Sequence, residues 1–158
     1  MTDTDETRPA APGVRPLDVR SLEPRERHPL IFQQLDGLGA GETVRLINDH
    51  DPVPLRYQLE AERPDQFSWT TVEAGPERWI VDIAHGVRTV DARPIIAGGG
   101  EPFATIMEAA SNTAADESLL VYAPFDPEPL KAALIEKGFG AVTEQVTDTT
   151  WRVTFNHR

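Results

Sequence analysis

The sequence predicts an α/β protein: two tandem β-α-β-α-β-β units, each a two-layer sandwich with a mixed sheet and two helices on one face. Three observations predict it. The chain repeats itself over most of its length, each copy shows apolar spacing of helical period between short branched-apolar runs, and each closes on two alternating segments separated by turn residues.

The repeat is the strongest of the three. Gly41–Arg56 (GETVRLINDHDPVPLR) aligns without gaps on Asp116–Lys131 (DESLLVYAPFDPEPLK), and Asp-Pro-x-Pro-Leu is identical in both. Upstream, Leu17-Asp-Val-Arg20 matches Val90-Asp-Ala-Arg93, and Pro29 is paired with Pro102; downstream, Trp79 matches Trp151. The small changes in offset between these matches are what loop insertions produce between fixed elements.

Each copy reads in the same order. A short strand (Leu17–Arg20; Thr89–Arg93) leads through a loop to a helix. Ile31, Leu35 and Leu38, and in the second copy Phe103, Ile106, Met107 and Ala110, supply its core stripe, with Pro29 and Pro102 in the first turn, where a missing N–H costs nothing. A buried strand follows (Val44–Ile47; Leu119–Tyr122). Asp51-Pro52 and Asp126-Pro127 read as a cap plus first-turn proline for a second helix, whose core side carries Leu55 and Leu59, or Leu130 and Leu134. In copy two this helix stops at Gly138. Hairpins end the units: Phe67–Glu73 with Trp79–Ile83, and Ala141–Val146 with Trp151–Phe155. A right-handed crossover makes the first two strands of each unit parallel.

The organisation expected is therefore a flexible tail at 1–16, units at 17–84 and 89–156, and a linker at 85–88. The tail is polar, holds Pro9, Pro12 and Pro16, and has too little apolar area to offset ordering. Its acidic start lacks the basic and apolar regions of an export signal, and no apolar run approaches the roughly 20 residues of a membrane helix, so a cytoplasmic location is expected.

Composition removes several chemistries. The 158 residues carry a formal net charge of -11, which disfavours nucleic acid, whose backbone calls for a basic face. There is no cysteine, so thiol nucleophiles, persulfide carriers, disulfides, iron–sulfur clusters and thiolate zinc sites are excluded together. Gly98-Gly-Gly-Glu-Pro102 precedes a helix but lacks the Gly-Lys-Ser/Thr ending of a phosphate loop, and reads as a flexible lead-in. Trp69, Trp79 and Trp151 lie on strand patterns and read as core anchors; His85 and His157 read as solvated.

The order β-α-β-α-β-β in a unit of this size resembles the TusA/SirA-like two-layer sandwich. In those sulfur carriers a Cys-Pro-x-Pro motif opens the first helix; here the matched places hold His28-Pro29 and Glu101-Pro102, so the resemblance implies the fold and argues against sulfur transfer. Leu17-Asp-Val-Arg20, Glu26-Arg-His-Pro-Leu-Ile-Phe32, Asn48-Asp-His-Asp-Pro-Val-Pro-Leu-Arg56 and Gly75-Pro-Glu-Arg-Trp79 look like the signature of an uncharacterised bacterial domain family of that superfamily. Copy two keeps less of it. Relatives occur fused to or near hemerythrin-like iron domains and denitrification genes. The resemblance thus implies a setting of iron, oxygen or nitrogen-oxide chemistry and a hemerythrin-like or other redox partner.

One constellation stands out. Ligands of parallel βαβ pairs favour the edge where strands end and helices begin. In copy one that edge collects Arg20, Glu26, Arg27, His28, Asn48, Asp49, His50 and Asp51. Three readings compete: helix caps, local ion pairs and solvated histidines with no ligand; a small-anion site of Arg20, Arg27, His28 and the helix N-termini; or a site for iron, zinc or copper built from His28, His50 and Asp49 or Glu26. Copy two is read with Glu101 and Phe125 at the histidine positions, hence as a structural partner. The leading expectation is a non-enzymatic accessory or binding protein. A small metalloenzyme or redox enzyme at the rim, and an interaction module docking a redox partner through its acidic surface, are the alternatives.

Overall fold

The computed structural model describes residues 10–158, and the tail expectation for residues 1–9 lies outside them. The chain divides into two compact units, one of residues 13–87 and one of residues 88–158 to which residues 10–12 also belong.

The first unit runs β1 (Val14–Asp18), α1 (Pro24–Asp36), β2 (Thr43–Asn48), α2 (Val53–Glu62), β3 (Phe67–Ala74) and β4 (Trp79–His85). Its sheet has the order β1-β2-β4-β3, with β1 parallel to β2 and β4 antiparallel to both its neighbours. The second unit runs β5 (Val87–Asp91), α3 (Arg93–Ala97), α4 (Phe103–Ser111), β6 (Ser118–Ala123), α5 (Glu128–Glu136), β7 (Phe139–Thr147) and β8 (Thr150–His157), with the sheet order β5-β6-β8-β7. The fold expected from the sequence is the fold observed.

Each unit has its own core. Ile31, Leu35, Leu55 and Leu59 from the helices of the first meet Val44, Leu46, Val81 and Ile83 from its sheet. Ile106, Ala110, Leu130 and Leu134 meet Leu119, Val121, Val153 and Phe155 in the second. The duplication extends to single bonds. Arg20 donates from its backbone N and Nε to Asp18 Oδ1 and from Nη2 to Asp18 Oδ2, and Arg93 makes the same three bonds to Asp91. Val19 N donates to Ile47 O, as Ala92 N does to Tyr122 O. Trp79 lies opposite Asn48 in the sheet and Trp151 opposite Ala123, so the tryptophans hold equivalent places; both are half-buried at strand starts.

Several boundaries differ from expectation for identifiable reasons. Strand β1 begins at Val14, so residues 14–16 are paired with Thr43, Val44 and Arg45 rather than being tail, and Ala11 N donates to Glu144 Oε2 at 3.1 Å. The parallel ladder supplies partners that tail composition could not reveal. Between β4 and β5 only Gly86 remains as linker. Helix α1 starts at Pro24, which puts Pro29 inside the helix rather than in its first turn. Asp51 and Asp126 give no side-chain cap bond to α2 and α5. Instead Val53 N donates to Asp51 O and Glu128 N to Asp126 O, each at 2.9 Å, around Pro52 (φ -81, ψ 50) and Pro127 (φ -84, ψ 69). That is an inverse γ-turn, and proline presets its φ. His85 and His157 are not simply solvated: their rings pack on Phe67 and Phe139, the residues they face across the ladder.

Candidate functional site

The copy-one rim is organised by Arg27. It falls on the same helical stripe as Ile31 and Leu35, so α1 turns it inward, and it is buried with them. All five of its N–H donors are used. Nε donates to Leu22 O; Nη1 to Asn48 Oδ1 and Asp49 Oδ1; Nη2 to Asp49 Oδ2 and Arg20 O, over distances of 2.9–3.2 Å. The guanidinium thus joins the loop after β1 to the loop after β2 and has no donor left for an anion. Arg20, clamped on Asp18, is likewise committed to a local pair.

Asp49 accepts from Arg27 and lies 2.7 Å from His50 Nδ1. The Arg27 bonds first, and the His50 bond second, hold its carboxyl well below the usual carboxylate range. His28 Nδ1 lies 2.9 Å from Gln58 Oε1, and Gln58 Nε2 donates to Glu62 Oε2. Glu62 therefore orients the amide, and Gln58 presents its acceptor to the ring. In the neutral form both histidines then carry the proton on Nδ1, which leaves Nε2 of each as an unprotonated nitrogen.

His28 and His50, 22 positions apart in sequence, line one cavity of about 90 Å³ together with Arg27, Asn48 and Leu55. Glu26 is exposed and outside it. Among the described residues no three His, Asp or Glu side chains converge to hold a metal ion. The two histidines thus line one cavity, Asp49 is bonded to Arg27 and His50, and Glu26 lies outside.

The second rim has the same frame and different contents. The first helices end at cap residues Gly37 and Asn112, and Ile31 and Leu35 are matched in burial by Ile106 and Ala110. In that phase His28 corresponds to Phe103, not to Glu101, and Arg27 to Pro102. Sequence reasoning misaligned them because it paired Pro29 with Pro102; two extra residues lie between Arg93 and α4, in the stretch holding Gly98–Gly100. Asn48 and His50 correspond to Ala123 and Phe125. Phe103 is correspondingly not in the core stripe but 42% exposed, and a cavity of about 620 Å³ opens beside it.

A tandem pair of α/β units, each with a helix-start rim that differs in polarity, defines a class of duplicated small-domain protein. Within it, the model of a family described as "Uncharacterized conserved protein (DUF2249)" matches residues 16–85 and again 89–157, and the chain belongs to that family, in two copies. Comparison with curated proteins and with solved structures gives no match. No helix among the described residues is long and apolar enough to cross a membrane.

Proposed function

We propose that the chain is a non-enzymatic binding protein whose first unit takes a ligand of a few heavy atoms, or a hydrated transition-metal ion, between His28 and His50. One observation carries this reading: both imidazoles line a single small cavity while their Nδ1 atoms are occupied by Gln58 and Asp49. About 90 Å³ is roughly three times the share of liquid volume of one water, at ~30 Å³ each. The preset Nδ1 bonds orient the rings, as outer partners do for ligand histidines. A catalytic role finds less support, because Arg27 and Asp49 neutralise each other and, among the described residues, no acid or base beyond these and the two histidines lines the cavity. The likeness to relatives found beside hemerythrin-like domains and denitrification genes supports a ligand from iron or nitrogen-oxide metabolism and a redox protein as partner; a cytoplasmic setting is part of the same proposal.

The test is titration calorimetry with Zn²⁺, Cu²⁺, Fe²⁺ and nitrite on the wild type and on His28→Gln/His50→Gln. Uptake of one of these by the wild type, lost in a double variant that melts at the same temperature, supports the reading. Absence of uptake of all four, or uptake unchanged in the variant, rejects it.

A further inference from the structure

We infer that the second unit's cleft is a separate binding site, for a flat, uncharged aromatic molecule bearing an N–H or O–H donor. It is bounded by Phe103 at the start of α4, Phe125 in the loop after β6, and Ile106, Val121, Pro127 and Leu130. Comparison of the two rims shows how it arises. In the first unit the corresponding cavity is lined by the buried Arg27 and by Pro24, where α1 begins. In the second, Arg27 is replaced by Pro102, and that start of α1 by a loop containing Gly99 (φ +83) and Gly100, where a Cβ would come within 3.1 Å of Ile95 Cγ2. The space grows from about 90 Å³ to about 620 Å³, inside the range of small-molecule sites, roughly 300–1,000 Å³.

Its chemistry selects the ligand. Two rim positions that hold histidine in the first unit hold phenylalanine here, and both rings remain substantially exposed, at 42% and 51%. Aromatic side chains left facing an open cleft from two different loops suit a flat apolar body that stacks between or against them. Among the described residues no Lys, Arg or His lines the cleft, which disfavours phosphate, sulfonate and carboxylate groups on its floor. Among the described residues the one charged residue of the lining is Glu101. One of its oxygens accepts the Phe103 backbone N–H at 2.9 Å, which holds the carboxylate at the mouth, where its second oxygen can accept from a ligand donor.

A matched pair of dyes tests both halves of the inference. N-phenyl-1-naphthylamine is an uncharged aromatic amine, and 8-anilinonaphthalene-1-sulfonate is the same skeleton with an anionic group. Fluorescence titration of the full chain should show one site for the amine and at least tenfold weaker binding of the sulfonate. Glu101→Gln should narrow that gap by weakening the amine and strengthening the sulfonate. Pro102→Arg/Phe125→His, which installs the first unit's residues, should weaken the amine tenfold or more with an unchanged melting temperature. Should that variant melt lower, Phe125→His alone, at a half-exposed position, should still weaken it severalfold. The inference is overturned if the amine does not bind, if the sulfonate binds equally well, or if Phe125→His has no effect. It is also overturned if the wild type self-associates and Phe125→His makes it monomeric, because a second copy would then occupy the cleft. Metal or nitrite uptake by the first rim is read separately, so either site can fail alone.

Discussion

Arg45 and Asp82 face one another across β2 and β4, with Nε donating to Oδ1 at 2.8 Å and Nη2 to Oδ2 at 3.1 Å, and both side chains are almost wholly buried. The same cross-strand place in the second unit is Leu120 opposite Thr154. One frame therefore accepts either an ion pair or an uncharged pair. Breaking a buried pair strands a charge, whereas replacing both partners removes the desolvation cost together with the attraction. Asp82→Thr alone should lose about 3–5 kcal/mol in urea unfolding, and Arg45→Leu/Asp82→Thr should recover most of that loss. A double variant no more stable than the single one would contradict this.

Acid should weaken the first rim. Asp49 has its folded pKa lowered by Arg27 and His50, so its contribution is fully present above the unfolded value of about 3.9 and is lost as pH falls from there toward the lower folded value. The stability difference between wild type and Asp49→Asn should be constant above about pH 5 and should close as the pH is taken below about 4. Urea midpoints measured at pH 7, 5, 4 and 3 check it; a difference that grows on acidification has the wrong sign.

Residues 14–16 matter to the fold. They supply three of the five paired positions of β1, at Val14, Arg15 and Pro16. A chain beginning at Leu17 should melt at least ~2–4 °C below one beginning at Gly13, the shift expected of ~1 kcal/mol in a protein this size. Equal melting temperatures would mean that β1 contributes nothing over that stretch.

Gly75 closes the β3–β4 turn with φ +61, its N donating to Arg78 O at 2.9 Å. A Cβ there would lie 2.8 Å from Trp79 Nε1. Gly75→Ala combines a left-handed backbone with that clash, and should cost about 1–3 kcal/mol. The near-UV circular dichroism of the tryptophans should change with it. An unaltered spectrum and midpoint would show that the turn relaxes freely.

Much of the fold was legible because the repeat doubled every local signal. Leu55 and Leu59 made sense beside Leu130 and Leu134, and the paired tryptophans set the hairpins in register. What stayed hidden depended on long-range partners. Nothing local to Val14–Pro16 announces a parallel ladder, and a proline-led alignment hid the match of His28 to Phe103. Arg27 could have been read inward from its spacing to Ile31 and Leu35, but a charged residue on a core stripe is intelligible only once its five acceptors are assembled. The Asp51 and Asp126 caps failed because proline had already fixed an inverse γ-turn that leaves no side-chain bond to make.

The clamps and turns that frame both rims have a kinetic consequence. Asp18 with Arg20, Asp91 with Arg93, and the two Asp-Pro turns all close across two residues. Loop closure over so short a span costs little entropy and is among the fastest steps open to a chain, whereas the parallel pairing of β1 with β2 must wait for a far longer loop. Each rim can therefore be shaped locally before its sheet is complete, and the order of events is the same in both units whatever side chains the rim carries.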